Sequence, residues 1–126
     1  MEVIAYQKFI RMSPRKLRLV ADAVRSLHPS KALVNLEFMH KRAARVLYKV
    51  MRQAVSNAVN NQKLEESALK TKHILIEEGP TYKRFRAGAR GRARMIMKRT
   101  SHIKVVLEPK EVKKADINKP VTKESK

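Results

Sequence analysis

Acidic residues are scarce in this chain, and cysteine and tryptophan are missing from it. Eleven Asp and Glu stand against 30 Lys and Arg, a formal net charge of +19 over 126 residues. A single small domain, the size such a length suits, repels itself at that charge. A polyanionic partner removes the cost: nucleic acid is the first candidate, an anionic membrane surface the second. Without cysteine there is no disulfide framework and no thiolate metal site. With no Trp, three Phe and three Tyr, anchors for a membrane interface are few. No apolar run approaches the ~20 residues of a spanning helix. The opening Met1-Glu2-Val3-Ile4-Ala5-Tyr6-Gln7-Lys8 has neither the basic start and apolar stretch of a secretion signal nor the Arg- and Ser-rich character of a transit peptide. The expectation is a cytoplasmic protein with no membrane partner.

Catalytic and metal chemistry find equally little support. His28, His40, His73 and His102 are dispersed without metal-ligand spacing. Glu65-Glu66 and Glu77-Glu78 are adjacent pairs, and neighbours on a strand point apart, so they do not converge as an acid–base couple. No Gly-rich loop joins a strand to a helix as a nucleotide site requires. Neither an enzyme nor a cofactor is expected.

The periodicity predicts an α+β chain. Residues 2–10 read as a strand. Ser13-Pro14 is a helix start, with Ser as N-cap and Pro at the first helical position. Leu17, Val20, Ala21 and Val24 follow at helical spacing to about Leu27. Ser30 predicts a second N-cap, with Ala32, Leu33, Leu36 and Met39 behind it. Ala43, Leu47, Val50, Met51, Ala54, Val55 and Ala58 form the apolar stripe of a long helix that stops at Asn60-Asn61, with Arg42, Arg45, Lys49 and Arg52 mostly off it. Residues 63–70 read as a polar connection. Ile74 and Ile76, and far along the chain Ile103, Val105 and Leu107, alternate as strands do.

Between those strands lies the most informative stretch, from Gly79 to Arg99, which contains no acid. Arg84 and Arg86 are two apart; so are Arg90, Arg92 and Arg94. A strand turns every second side chain to one face, so on each arm the arginines share a face. Gly88 and Gly91 sit where a hairpin has to turn, giving a tip of Ala87, Gly88, Ala89, Arg90 and Gly91. Arms running from about Thr71 to the tip and back to Leu107 would hold roughly 15 residues and reach about 50 Å, well beyond a body ~30 Å across. Such a ribbon is marginal in water, and facing like charges weaken it further. Packed RNA phosphates would order it through bidentate Arg contacts and counterion release. The competing reading of this stretch is a solvated basic loop.

Three segments resemble the family of bacterial-type large-subunit ribosomal protein twenty-two: Ser13-Pro-Arg-Lys-Leu-Arg-Leu-Val-Ala-Asp22, Ala54-Val-Ser-Asn-Ala-Val-Asn-Asn61, and the set Glu78-Gly-Pro-Thr-Tyr-Lys-Arg84, Arg90-Gly-Arg-Ala93 and Lys98-Arg-Thr-Ser-His-Ile103. The resemblance spans roughly residues 3–107. It implies a three-stranded antiparallel sheet packed with three helices, plus a long protruding hairpin. It also implies a structural role in the large ribosomal subunit, with 23S-type rRNA and neighbouring ribosomal proteins as partners, support of early assembly, and a hairpin lining the nascent-peptide exit tunnel. The nascent peptide would pass the tip, and macrolide antibiotics bind nearby in family members. One departure stands out. The family's Pro-Arg pair before Arg-Gly-Arg-Ala is Ala87-Gly88 here, which predicts a less constrained tip.

The expected organisation is one domain over 1–108 (body 1–78 and 100–108, hairpin 79–99) and a Lys-rich disordered tail over 109–126. The expected rRNA contacts are Arg15, Lys16, Arg18 and Arg25 on the first helix, Lys83, Arg84, Arg86, Arg90, Arg92 and Arg94 on the hairpin, and Lys98, Arg99 and His102 on the return strand. Asp22, four residues after Arg18, is placed to pair with it. Tyr82 and Phe85 either stack on bases or pack across the hairpin. An architectural DNA-binding protein with a basic β-arm is the alternative, although its tip would lack the usual apolar wedge. A membrane-active cationic protein is disfavoured, because the long helix carries Ala, Val and Met fit for a core.

Overall fold

Helix α3 (Arg42–Gln62) is the beam of the fold. Its apolar stripe buries Leu47, Val50, Met51 and Ala54 completely, and Ala44 joins it. Each large side chain so buried contributes about 1.5–3 kcal/mol. α1 (Pro14–Val24) buries Leu17, Val20, Ala21 and Val24, and α2 (Pro29–Phe38) buries Ala32 and Leu36. These helices cover one face of a three-stranded antiparallel sheet in the order β1-β5-β2, from β1 (Val3–Ile10), β5 (Ser101–Pro109) and β2 (Leu69–Glu78). This computed structural model describes residues 1–110. The tail expected over 109–126 lies outside the described residues except for Pro109, which ends β5, and Lys110, whose N–H donates to the Ala68 carbonyl.

Several boundaries differ from the sequence reading. α1 ends at Val24, and Leu27 belongs to the following turn. Ser30 is not the cap of α2: Pro29 takes the first helical position, and the His28 ring accepts the Ser30 N–H. Ser13 stands at the N-cap of α1 without a side-chain cap bond. Asn60 and Asn61 lie inside α3, which ends where Lys63 turns left-handed (φ 52°). β2 begins at Leu69, inside the stretch 63–70 read as a polar connection.

Strand register explains the core. Val3, Leu107 and Thr71 form one cross-strand row, and Ala5, Val105 and Ile74 the next, all turned to the helices and all buried. Two bulges adjust this alternation. One, at Lys72, lets both Thr71 and Ile74 face inward. The extruded Lys72 ammonium pairs with Glu2 and, at 3.5 Å, with Glu108, tying the three strands together. The other sets Lys8 and Phe9 opposite His102 and turns Ile10 back into the core. Phe9 there adopts φ 55°, a left-handed conformation that costs a bulky residue about 1–2 kcal/mol.

The hairpin is not one continuous ladder. The β2–β5 pairing ends at Glu78 and Ser101, and a separate two-stranded ribbon, β3 (Tyr82–Ala87) with β4 (Ala93–Lys98), begins beyond it. Pro80 cannot donate to a ladder, so the arms part there. The joint is held by Gly79 N–H to the Thr100 carbonyl (2.9 Å) and by the Thr100 hydroxyl to the Pro80 carbonyl (2.6 Å). A Cβ at position 79 would stand 2.5 Å from that hydroxyl, so glycine is required by space. The ribbon ladder holds six residues a side, about 20 Å, rather than the 50 Å of an unbroken arm. At the tip, Gly88 N–H donates to Arg92 O (2.7 Å), and Arg90 (φ 57°) and Gly91 (φ 68°) take the central positions of a tight turn. Positive φ at both is the type I′ signature.

Two outcomes follow. Arg90→Asn relieves a strained turn position, and Gly91→Ala adds one. Hydrogen exchange of the ribbon amides is expected to slow about five-fold in the first and to quicken about as much in the second, the factor that ~1 kcal/mol gives, with body amides unchanged in both. The Lys72 pairs set a pH window. Lys72 holds the Glu2 carboxyl below its ordinary 4.5, and Glu2 holds the Lys72 amine above its ordinary 10.5. The carboxylate's contribution is therefore present above pH ~4.5 and lost on acidification, and the ammonium's is lost as pH rises through its raised pKa. The melting-temperature gap between the wild type and Lys72→Met should be widest between these limits and narrow as pH falls through the lowered Glu2 pKa.

Candidate nucleic-acid interface

Cross-strand partners in an antiparallel ladder share a face. Tyr82, Arg84 and Arg86 pair with Lys98, Ile96 and Arg94, so both arms place cations on one side. The other side carries Lys83, Phe85 and Ala87 opposite Met97, Met95 and Ala93, and is apolar apart from Lys83. Every residue of the two strands is exposed. Arg86 stands directly opposite Arg94. Arg90 and Arg92, expected to continue the strand face, leave the ladder instead. With Arg94, Gly88 and Ala89 they border a concavity of about 150 Å³ at the tip. The left-handed turn is the reason, since it rotates Arg90 off the strand's period.

Where the ribbon joins the body, a larger concavity of about 710 Å³ opens between the start of α1, the start of α3 and the end of β4. Arg11, Lys16, Lys41, Arg42, Lys98 and Arg99 line it. Among the described residues no carboxylate does. The N-termini of α1 and α3 open beside it, and neither Ser13 nor Lys41 makes a side-chain cap bond. Unpaired helix N–H groups and the positive end of a helix dipole favour an anion. Arg11 also lies over the Tyr82 ring at 5.2 Å, and Arg84 over the same ring at 6.0 Å. Tyr82 thus sits under two cations where the ribbon meets the body. Phe85, opposite Met95, stays 72% exposed.

The first helix divides. Arg15 is exposed and Lys16 lines the large concavity. Arg18 and Arg25 turn instead to the edge strand, donating to the Ile76 carbonyl (3.2 Å) and the Ile74 carbonyl (3.4 Å). β2 is an edge, so those carbonyls point away from the sheet and are free to accept. Arg18 also meets Glu78 at 3.8 Å, while Asp22 pairs with Arg25 at 3.1 Å and not with Arg18 as expected. His102, expected among the rRNA contacts, bonds within the protein: its Nδ1 accepts the Phe9 N–H at 3.0 Å, and its ring stands edge-on to Phe9 at 5.0 Å.

Arg11, Lys41 and Arg42 were not among the site residues read from sequence, although they line the most cationic concavity. Arg42 was marked only by its charge off the apolar stripe, and Arg11 and Lys41, outside the helices, by nothing beyond their charge. Which cations at the ends of three elements converge is decided by packing.

The structure thus joins a cationic ribbon to a basin that, among the described residues, no carboxylate lines. A family model described as ribosomal protein L22p/L17e matches residues 5–108, which takes in nearly all of the sheet, the three helices and the whole ribbon. Large ribosomal subunit protein uL22 of Mesoplasma florum is 44% identical over 112 residues, 89% of this chain and 100% of that protein. Matched through its body and its arm alike, the chain belongs to the ribosomal protein L22p/L17e family.

Proposed function

We propose that this structural constituent of the large ribosomal subunit binds 23S-type rRNA through one continuous cationic surface, formed by the ribbon face of Arg84, Arg86, Arg94 and Lys98 and the basin beside it. The observation that carries this reading is the segregation of charge. The ribbon and basin cations have no carboxylate among them, and the chain holds no acid between Gly79 and Leu107. Phosphates can supply what the chain does not. Arg15, Lys16, Lys83, Arg90, Arg92 and Arg99 extend the surface. Arg18, Arg25 and His102, already engaged within the protein, act there first as struts.

The two-sided ribbon supports the finer part of the proposal. Its cationic face lies against rRNA, while the tip and the apolar face of Phe85, Met95 and Met97 border the nascent-peptide exit tunnel, as the family resemblance implies. Neighbouring large-subunit proteins, the passing peptide and nearby macrolides are the partners this places around the arm. Early binding would let the arm help fold the rRNA that encloses it, supporting assembly. The DNA-binding alternative gains nothing from the tip, where Ala89, Arg90 and Gly91 present no wedge to part a base step.

Replacing Arg84, Arg86 and Arg94 together by Gln should leave the circular dichroism of the body unchanged. It should also reduce the slope of log K against log salt for large-subunit rRNA by about two to three, close to one for each phosphate no longer neutralised. An unchanged slope, or a preference for duplex DNA over the rRNA in competition, would overturn the reading. Neutralising Arg90, Arg92 and Arg94 together should impair subunit assembly or tunnel structure; normal gradients and unaltered chemical probing of tunnel rRNA would remove the arm from that role.

A further inference from the structure

Among the described residues, Phe9 is the residue of the three-stranded sheet that takes a left-handed backbone conformation. The bulge of β1 is needed, because it returns Ile10 to the core. Glycine at position 9 would serve that bulge without strain. Instead a phenylalanine holds φ 55° and is itself 59% exposed. The His102 ring fixes it from one side, through the bond to the Phe9 N–H and edge-on ring contact. On the other side Phe9 borders a concavity of about 290 Å³ between β1 and α3, whose charged lining is Lys8, Arg11, Arg45 and Lys49. Among the described residues no carboxylate lines it. Its volume is close to the ~300 Å³ at the small end of ligand sites.

We propose that this concavity seats a single unstacked RNA nucleotide, its base on the Phe9 ring and its flanking phosphates on Lys8, Arg11, Arg45 and Lys49. An aromatic platform ringed by cations is how proteins hold splayed-out RNA bases. A protein segment covering Phe9 would need acids to match four cations; an RNA strand brings a phosphate at each residue. Gln7 at the rim offers an amide to the base edge. Arg11 borders this seat and the large basin alike, so a strand leaving one can enter the other. The inference rests on the rRNA-binding reading above and adds to it a base-stacking seat on the body.

The test compares the full-length wild-type chain with Phe9→Gly and Phe9→Trp, titrated against full-length large-subunit rRNA over a range of salt. Phe9→Gly removes the ring and accepts the backbone conformation, so its melting temperature should not fall. Its affinity should drop ~5- to ~150-fold, the range that removal of one base stack gives. The salt slope should stay unchanged, because no charge is removed. Phe9→Trp should retain affinity. In assembled large subunits, ultraviolet irradiation should join Phe9 to a nucleotide. Wild-type affinity in Phe9→Gly, equal loss in Phe9→Trp, or a Phe9 crosslink to protein instead of RNA would each overturn the seat. A wild-type chain that shows no preference for rRNA over duplex DNA would fail the underlying reading as well, which keeps the two distinguishable.

Discussion

Arg86 faces Arg94 across the ribbon, and among the described residues neither has an anionic partner. That unrelieved repulsion is the constraint around which the rest of the protein is organised. Carboxylates of the described chain are paired on the body instead, among them Glu2 and Glu108 with Lys72, Asp22 with Arg25, Glu78 with Arg18, and Glu77 with the Tyr6 hydroxyl. The ribbon receives none. In water each facing pair costs on the order of 1 kcal/mol or less, yet a two-stranded ribbon has little stability to lose. In the function proposed above, phosphates complete its order, because the exposed cations of the ribbon lack acids of their own.

The body supplies the rigidity that the ribbon lacks. α3 and the inward rows of the sheet make one apolar core, and α1 is pinned to the edge strand by Arg18 and Arg25. This pinning holds the start of α1 beside the start of α3, and the basin between them exists because both helices begin there. A cation that acts as a strut inside the protein can thus do as much for the basin as one that lines it. The joint at Gly79, Pro80 and Thr100 then fixes how the ribbon leaves the body, with Tyr82 held under Arg11.

Much of this was legible in the residues. The stripe from Ala43 to Ala58 and the alternation at Ile103, Val105 and Leu107 gave the long helix and the central strand, because burial imposes those periods directly. The acid-free arginine alternation located the arm. Boundaries were less legible where one residue's local preference competes with its neighbours'. Pro29 displaced Ser30 from the cap because its ring suits the first helical turn. Asn60 and Asn61 continued the helix because Lys63 could close it in the left-handed conformation.

By itself, the sequence determined that this is a basic α+β chain with an arginine-lined arm, since charge, hydrophobic period and turn residues are local properties carried by each segment. Only the tertiary structure decided that the arginines of both arms share one face, that Arg90 leaves it, that Arg18 and Arg25 brace a sheet edge, and that Arg11, Lys41 and Arg42 meet in one basin. Each of these depends on register or on the packing of elements distant along the chain. A one-residue change of register reverses a face, and no local pattern records which helix ends will be neighbours.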